Sequence, residues 1–284
     1  MKKTKENWLF EITPRRGLLD FNLREIWQYR DLLWLFVKRD IVTVYKQTIL
    51  GPLWFFIQPI MTTIVFLVVF GKIANIPTDG VPPILFYLSG IVAWNYFAEC
   101  LNLTSDTFKK NEAIFSKVYF PRIVLPLSIV ISNLGKFLIQ LFLFLATLGY
   151  FVFFTETSAK PNKLLILFPV LVLLMGLLGL SAGMIISSLT TKYRDLTFLV
   201  KFGVSLLMYA TPVVYPLSQI NTQYRWIAEL NPLTPLFEIF KYSFLGQGTF
   251  TWGSFIYSCI FSIVVLLIGI LTFNRTEKSF IDTI

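Results

Sequence analysis

Ile64-Val65-Phe66-Leu67-Val68-Val69-Phe70 lies inside a stretch, Lys46 to Lys72, whose interior carries no charge and which opens on Gly51-Pro52-Leu53-Trp54. About 20 apolar residues in a helix cover the roughly 30 Å hydrocarbon core of a bilayer, so this run reads as a membrane span. The pattern repeats along the chain. Uncharged windows run from Asp79 to Glu99, Lys163 to Lys192, Lys201 to Arg225 and Lys241 to Arg275, and Arg122 to Glu156 is interrupted only by Lys136. The windows predict an all-α polytopic membrane protein with six transmembrane helices, over 50–71, 84–104, 122–153, 164–189, 197–215 and 253–273. The six-span domain then occupies 49–273, between a cytosolic segment 1–48 and a cytosolic tail 274–284.

Composition agrees. Hydrophobic residues make up 55% of the chain and charged residues 14%, against roughly a quarter charged in soluble domains. The net charge of +9 could point to nucleic acid, but its distribution points to membrane topology and anionic lipid instead. Nineteen Lys and Arg precede span 1, follow spans 2 and 4, or lie in the tail; Lys72, Lys160, Lys163, Arg225 and Lys241 occupy the alternate loops. Basic residues collect on the cytosolic side, so both termini are expected there. Met1 to Gly17 has no continuous apolar run, which speaks against a cleaved signal peptide.

Three segments do not span. Leu23, Ile26, Trp27, Leu33, Trp34, Val37, Ile41, Val44 and Tyr45 share one helical face, which predicts an amphipathic helix on the cytosolic membrane surface or a soluble subdomain packed on the spans. From 105 to 119 a short cytosolic helix is expected, capped by Asp106 and carrying Phe108, Ile114, Phe115 and Val118. It is either a connector or a docking surface for a soluble partner. The external segment 211–252 is punctuated by Pro212, Pro216, Pro232 and Pro235 yet remains apolar, which predicts short re-entrant helices between spans 5 and 6.

Chemistry is sparse. Histidine is absent, Cys100 and Cys259 have no metal-ligand spacing, and no Gly-rich phosphate loop precedes a lysine, so no metal, cofactor or catalytic residue is expected in this chain. Lys136 lies deep in span 3, either on a polar translocation path or paired with Glu99. Tyr87, Trp94, Tyr96 and Phe97 cluster in span 2. They either line a glycan channel by stacking on sugar rings or pack against lipid and protein.

The motifs are more specific. Tyr45-Lys46-Gln47-Thr48-Ile49-Leu50-Gly51-Pro52-Leu53-Trp54 with Gln58-Pro59, then Phe120-Pro121-Arg122 with Leu125-Pro126, then Tyr193-Arg194-Asp195-Leu196, resemble in order the signatures of polysaccharide-exporting ABC transporter permeases. Thr211-Pro212-Val213-Val214-Tyr215-Pro216, Asn231-Pro232 and the tail Glu277-Lys278-Ser279-Phe280-Ile281-Asp282-Thr283-Ile284 are similar too, although Ile281 and Thr283 depart from the family's usual tail. In length the chain looks most similar to the O-antigen (Wzm-type) branch; capsule and teichoic-acid permeases share the motifs.

The resemblance implies a homodimer in the bacterial inner membrane that pairs with two copies of a separate ATPase, where ATP and Mg bind. It exports lipid-linked polysaccharide. On that reading 105–119 is the coupling helix, with Phe108, Ile114, Phe115 and Val118 docking the ATPase, while Arg30, Lys38, Arg39 and Lys46 attract a diphosphate headgroup. A small-molecule drug ABC exporter, a secondary transporter and a membrane glycan transferase are the alternatives.

Overall fold

The computed structural model describes residues 23–46, 50–115, 120–155, 159–193 and 195–281. Residues 1–22, Val118, Arg194 and the last three residues of the expected tail therefore lie outside the described residues. All regular structure among the described residues is helical: α1 (Leu23–Gln28), α2 (Arg30–Lys46), α3 (Trp54–Phe66), α4 (Pro83–Ser105), α5 (Thr107–Lys110), α6 (Glu112–Phe115), α7 (Val124–Phe154), α8 (Phe168–Lys192), α9 (Leu196–Ala210), α10 (Thr222–Leu230), α11 (Leu233–Leu245) and α12 (Trp252–Ile281).

The fold is organised around α4. Its most apolar window is 83% buried, whereas that of Gly51–Ile73 is 17% buried and turns its apolar residues outward. The sequence of α8 permits the burial. Gly176, Gly179 and Gly183 fall on one helical face, and that face lies directly on α4. A Cβ at Gly179 would stand 2.7 Å from the Cys100 Cβ and 2.9 Å from the Phe97 carbonyl; one at Gly183 would stand 2.9 Å from the Leu101 carbonyl. Small residues let membrane helices approach until their backbones touch. α7 packs on another side of α4, and α12 packs on α8, where Gly269 meets the Ser181 carbonyl.

Among the described residues, five helical segments are long and apolar enough to cross a membrane: Gly51–Ile73, Pro83–Ser105, Val124–Phe154, Lys163–Lys192 and Trp252–Thr276. The first completes α3 with a 3-10 turn before it and a π-helical stretch, Leu67–Ile73, after it. The remaining expected span, 197–215, is shorter than anticipated. α9 has 15 residues, about 22 Å of helix. It stops at Ala210 because Thr211 is extended ahead of Pro212, whose ring disfavours helical geometry in the residue before it. By contrast, α12 continues well past 273.

The bundle has two distinct ends. At one, Phe36 of α2, Phe108, Phe115, Phe120, Val124, Met184 and Phe273 of α12 form a core of their own. The beginning of the described chain and the far part of its last helix therefore meet at the same end. Here the single helix expected over 105–119 is two one-turn helices, α5 and α6. The Asp106 side chain does not cap α5; it pairs with Lys110 at 3.1 Å one turn later. α2 buries Phe36 and Val37, while its Trp34 and the Trp27 of α1 remain exposed.

At the other end, α11 is buried nearly all round, against α4, α8 and α12. A helix apolar on every side is stable only when enclosed. Its last carbonyls are bonded: Asn162 donates from its side chain to Tyr242 O (2.8 Å) and from its backbone to Ser243 O (3.0 Å), and the Lys160 N–H reaches Leu245 O. Gly246 then ends the helix at φ 72°, a left-handed position suited to glycine.

Candidate functional site

Polar residues inside the bundle gather between α4 and α7. Lys136 Nζ donates to Glu99 Oε2 at 2.8 Å, so the lysine pairs across the two helices. One turn away along each helix, Asn95 donates to Gln140 at 3.3 Å. Asn133, one turn before Lys136, is buried with neither side-chain polar atom hydrogen-bonded. Paired charges are the form in which membrane interiors tolerate ionised side chains.

The four span-2 aromatics do not share an open surface. Tyr87 packs edge-on to Phe66 and Phe86. Trp94 lies against Phe97 and against Phe237 of α11. Tyr96 meets Phe137 of α7 at 5.0 Å. All four are buried, because α4 is surrounded.

At the α2 end, Phe108 stacks on Phe273 at 4.6 Å, and Phe115 sits between Phe108 and Phe120 with the Arg122 guanidinium 4.9 Å above its ring. Phe108 and Phe115 are thus buried, Ile114 is half-buried, and Lys109, Lys110 and Glu112 face outward. The four cations assigned to headgroup attraction are exposed along α2. Arg30 lies over Trp27 near Asp31, and Arg39 lies over Phe36 and pairs with Asp40 at 2.8 Å, which leaves Lys38 and Lys46 as the less engaged charges.

The sequence reading overlooked a charged knot at the α11 end. Lys241 is fully buried; its ammonium donates to the carbonyls of Pro212 (2.6 Å) and Val213 (3.2 Å) and stands 3.8 Å from the Phe86 ring centre. Burial pushes its pKa down to about 8, against the opposing pull of Glu238 and Asp79. Glu238, one turn earlier on α11, accepts from the Thr249 N–H and hydroxyl, and burial raises its pKa. The available signal was an acid and a base three residues apart in an otherwise apolar segment. Asp79 in turn accepts from Ser218, so the knot joins α11, the 211–216 strap and the loop before α4.

The architecture is that of a helical membrane component. The ABC-2 type transporter family model matches residues 31–245, from the start of α2 to the end of α11. The chain belongs to that family. Among proteins it resembles, the O-antigen export system permease protein RfbA of Myxococcus xanthus is 31% identical over 216 residues, 75% of this chain and 80% of that one. An RfbA protein of Klebsiella pneumoniae is 26% identical over 255 residues (89% and 94%). The polysialic acid transport protein KpsM of Escherichia coli is 22% identical over 248 residues (86% and 93%). As an ABC-2 family member with several long apolar helices, it is a multi-pass membrane protein.

Proposed function

We propose that this chain is the permease subunit of an ATP-driven exporter that carries lipid-linked polysaccharide, O-antigen in first place, across the bacterial inner membrane. The observation that carries the reading is the match to O-antigen export permeases over most of both chains, at higher identity than the match to the capsule-related KpsM. ATP hydrolysis belongs to a separate subunit, two copies of which bind a permease homodimer. The exposed apolar faces of α3 and α9, with Met61, Val65, Phe198 and Phe202, are available to lipid or to the second copy.

The chain crosses six times, with both ends in the cytosol. Two features support this. Phe36 and Phe273 share one core, which fits an even number of crossings between α2 and the end of α12. α9 begins just after α8 at that end and leads into the strap held by Lys241 at the other, so a short helix plus extended chain makes the sixth crossing. The α2 end is then cytosolic and the α11 end external, with α11 re-entrant. α5 and α6 meet the ATPase through Lys109, Lys110 and Glu112, while Phe108 and Phe115 anchor the element from within. Lys38 and Lys46 draw the lipid headgroup.

Deletion of the gene tests the function. Surface glycan should disappear and lipid-linked polymer should accumulate inside, and a partner ATPase unable to hydrolyse ATP should reproduce both. Surface glycan at wild-type level in the deletion strain overturns the reading.

A further inference from the structure

Between α10, α11 and the start of α12 lies a cavity of about 290 Å³, with Glu238 in its wall. At about 30 Å³ per water it has space for on the order of ten waters, or one pyranose ring. Thr234, which is 2% exposed, belongs to its wall, with its hydroxyl closed off from the cavity space. Around the cavity stand the Glu238 carboxylate, held on one side by Thr249, and the Thr251 and Ser254 hydroxyls, bonded to each other at 2.8 Å with acceptor positions to spare. Leu217 and Pro235 supply the apolar part of the wall.

The electrostatics narrow the ligand. Arg225, the cation in the wall, is held by Glu229 at 2.8 Å. With two carboxylates in the lining and that guanidinium engaged, a phosphate or carboxylate finds no welcome. Hydroxyls that both donate and accept suit this wall, and the C–H face of a sugar ring suits Leu217 and Pro235. We propose that this cavity binds one neutral sugar residue of the exported glycan as it emerges at the α11 end. The proposal rests on the export reading above and adds to it a saccharide site outside the membrane path.

The test uses the permease–ATPase complex in nanodiscs and, as probe, short oligosaccharides released by mild acid from the strain's own lipid-linked glycan. Saturation-transfer NMR should show contact at pyranose ring protons. Thr251→Val keeps the volume and removes a lining hydroxyl, and it should weaken apparent affinity roughly five-fold, the size of one lost hydrogen bond. Ser254→Trp fills the cavity and should abolish the signal. A thermal midpoint within about 3 °C of wild type identifies a folded variant, and Ser254→Trp carries the test alone if Thr251→Val does not fold. No saturation transfer to wild type, or equal transfer to the folded variants, overturns the site. If the deletion strain loses surface glycan while the variants bind like wild type, the site is wrong and the export reading stands. If the deletion strain keeps its glycan, both fall.

Discussion

Lys241 is the residue whose chemistry departs furthest from its ordinary behaviour. A free lysine keeps its proton to about pH 10.5, whereas this one releases it near 8 because burial disfavours the ammonium. Glu238 and Asp79, which act on it electrostatically, soften the effect but do not reverse it. Between those two pH values the unfolded chain holds more protons than the folded one, so stability rises with pH; below about 8 both states are charged and the burial cost is at its full value. The thermal midpoint of the purified protein should therefore climb from pH 8 toward 10, by an amount equivalent to on the order of 3 kcal/mol. Lys241→Met, which keeps the bulk and removes the charge, should flatten that rise. A wild-type profile flat across this window would contradict the assignment. In the sequence Lys241 was one of five basic residues in external loops, whereas Lys136 stood out because its surroundings are uncharged for more than a dozen residues on each side. An isolated charge is legible from sequence. A charge made unusual by its tertiary surroundings is not.

At the scale of elements, the α4–α8 seam decides the interior. A Cβ at Gly179 meets a backbone carbonyl and a Cβ, neither of which can rotate away, so Gly179→Ala should destabilise by about 1–3 kcal/mol. Gly135 of α7 has nothing within 4 Å of its would-be Cβ. Gly135→Ala should be neutral or stabilising by up to about 1 kcal/mol through helix propensity. Thermal or denaturant unfolding of the two variants in one detergent separates these outcomes, and equal midpoints would refute the seam. Tyr87 and Trp94 cluster in the sequence of α4, and Phe108 and Phe115 share the short 105–119 segment. Period does not say what a face meets. For the span-2 aromatics the answer is α3, α7 and α11; for Phe108 it is α12, and for Phe115 it is Phe120. The same limit applies to Asp106, whose position before a helix suggested a cap and whose carboxylate pairs with Lys110 instead.

For the molecule as a whole, the count of crossings is the quantity to measure. Among the described residues five helices have full spanning length, and an odd count would separate the ends of the chain, while the shared Phe36–Phe273 core argues for an even one. A fluorescent protein fused after residue 284 should fold and fluoresce in the cytosol, and alkaline phosphatase inserted near Gly248 should be active outside the membrane. A dark C-terminal fusion with active phosphatase at the C-terminus would instead leave five crossings. Hydropathy made the long spans legible at once, because each is a contiguous property of the chain. The shortness of α9 was not legible, since an uncharged window from Lys201 to Arg225 does not reveal where Pro212 lets the helix end.

One feature of α12 joins the two ends. Its 30 residues make a rod of about 45 Å. Near its beginning, Tyr257 donates to the Leu230 carbonyl and Ser258 to the Pro232 carbonyl, at the hinge between α10 and α11. Near its far end, Phe273 is stacked on Phe108. A continuous helix resists compression along its axis, so an axial displacement applied at Phe273 would carry to that hinge. The last helix thus has the form of a push-rod, and the sugar pocket beside its first turn sits where the stroke is delivered.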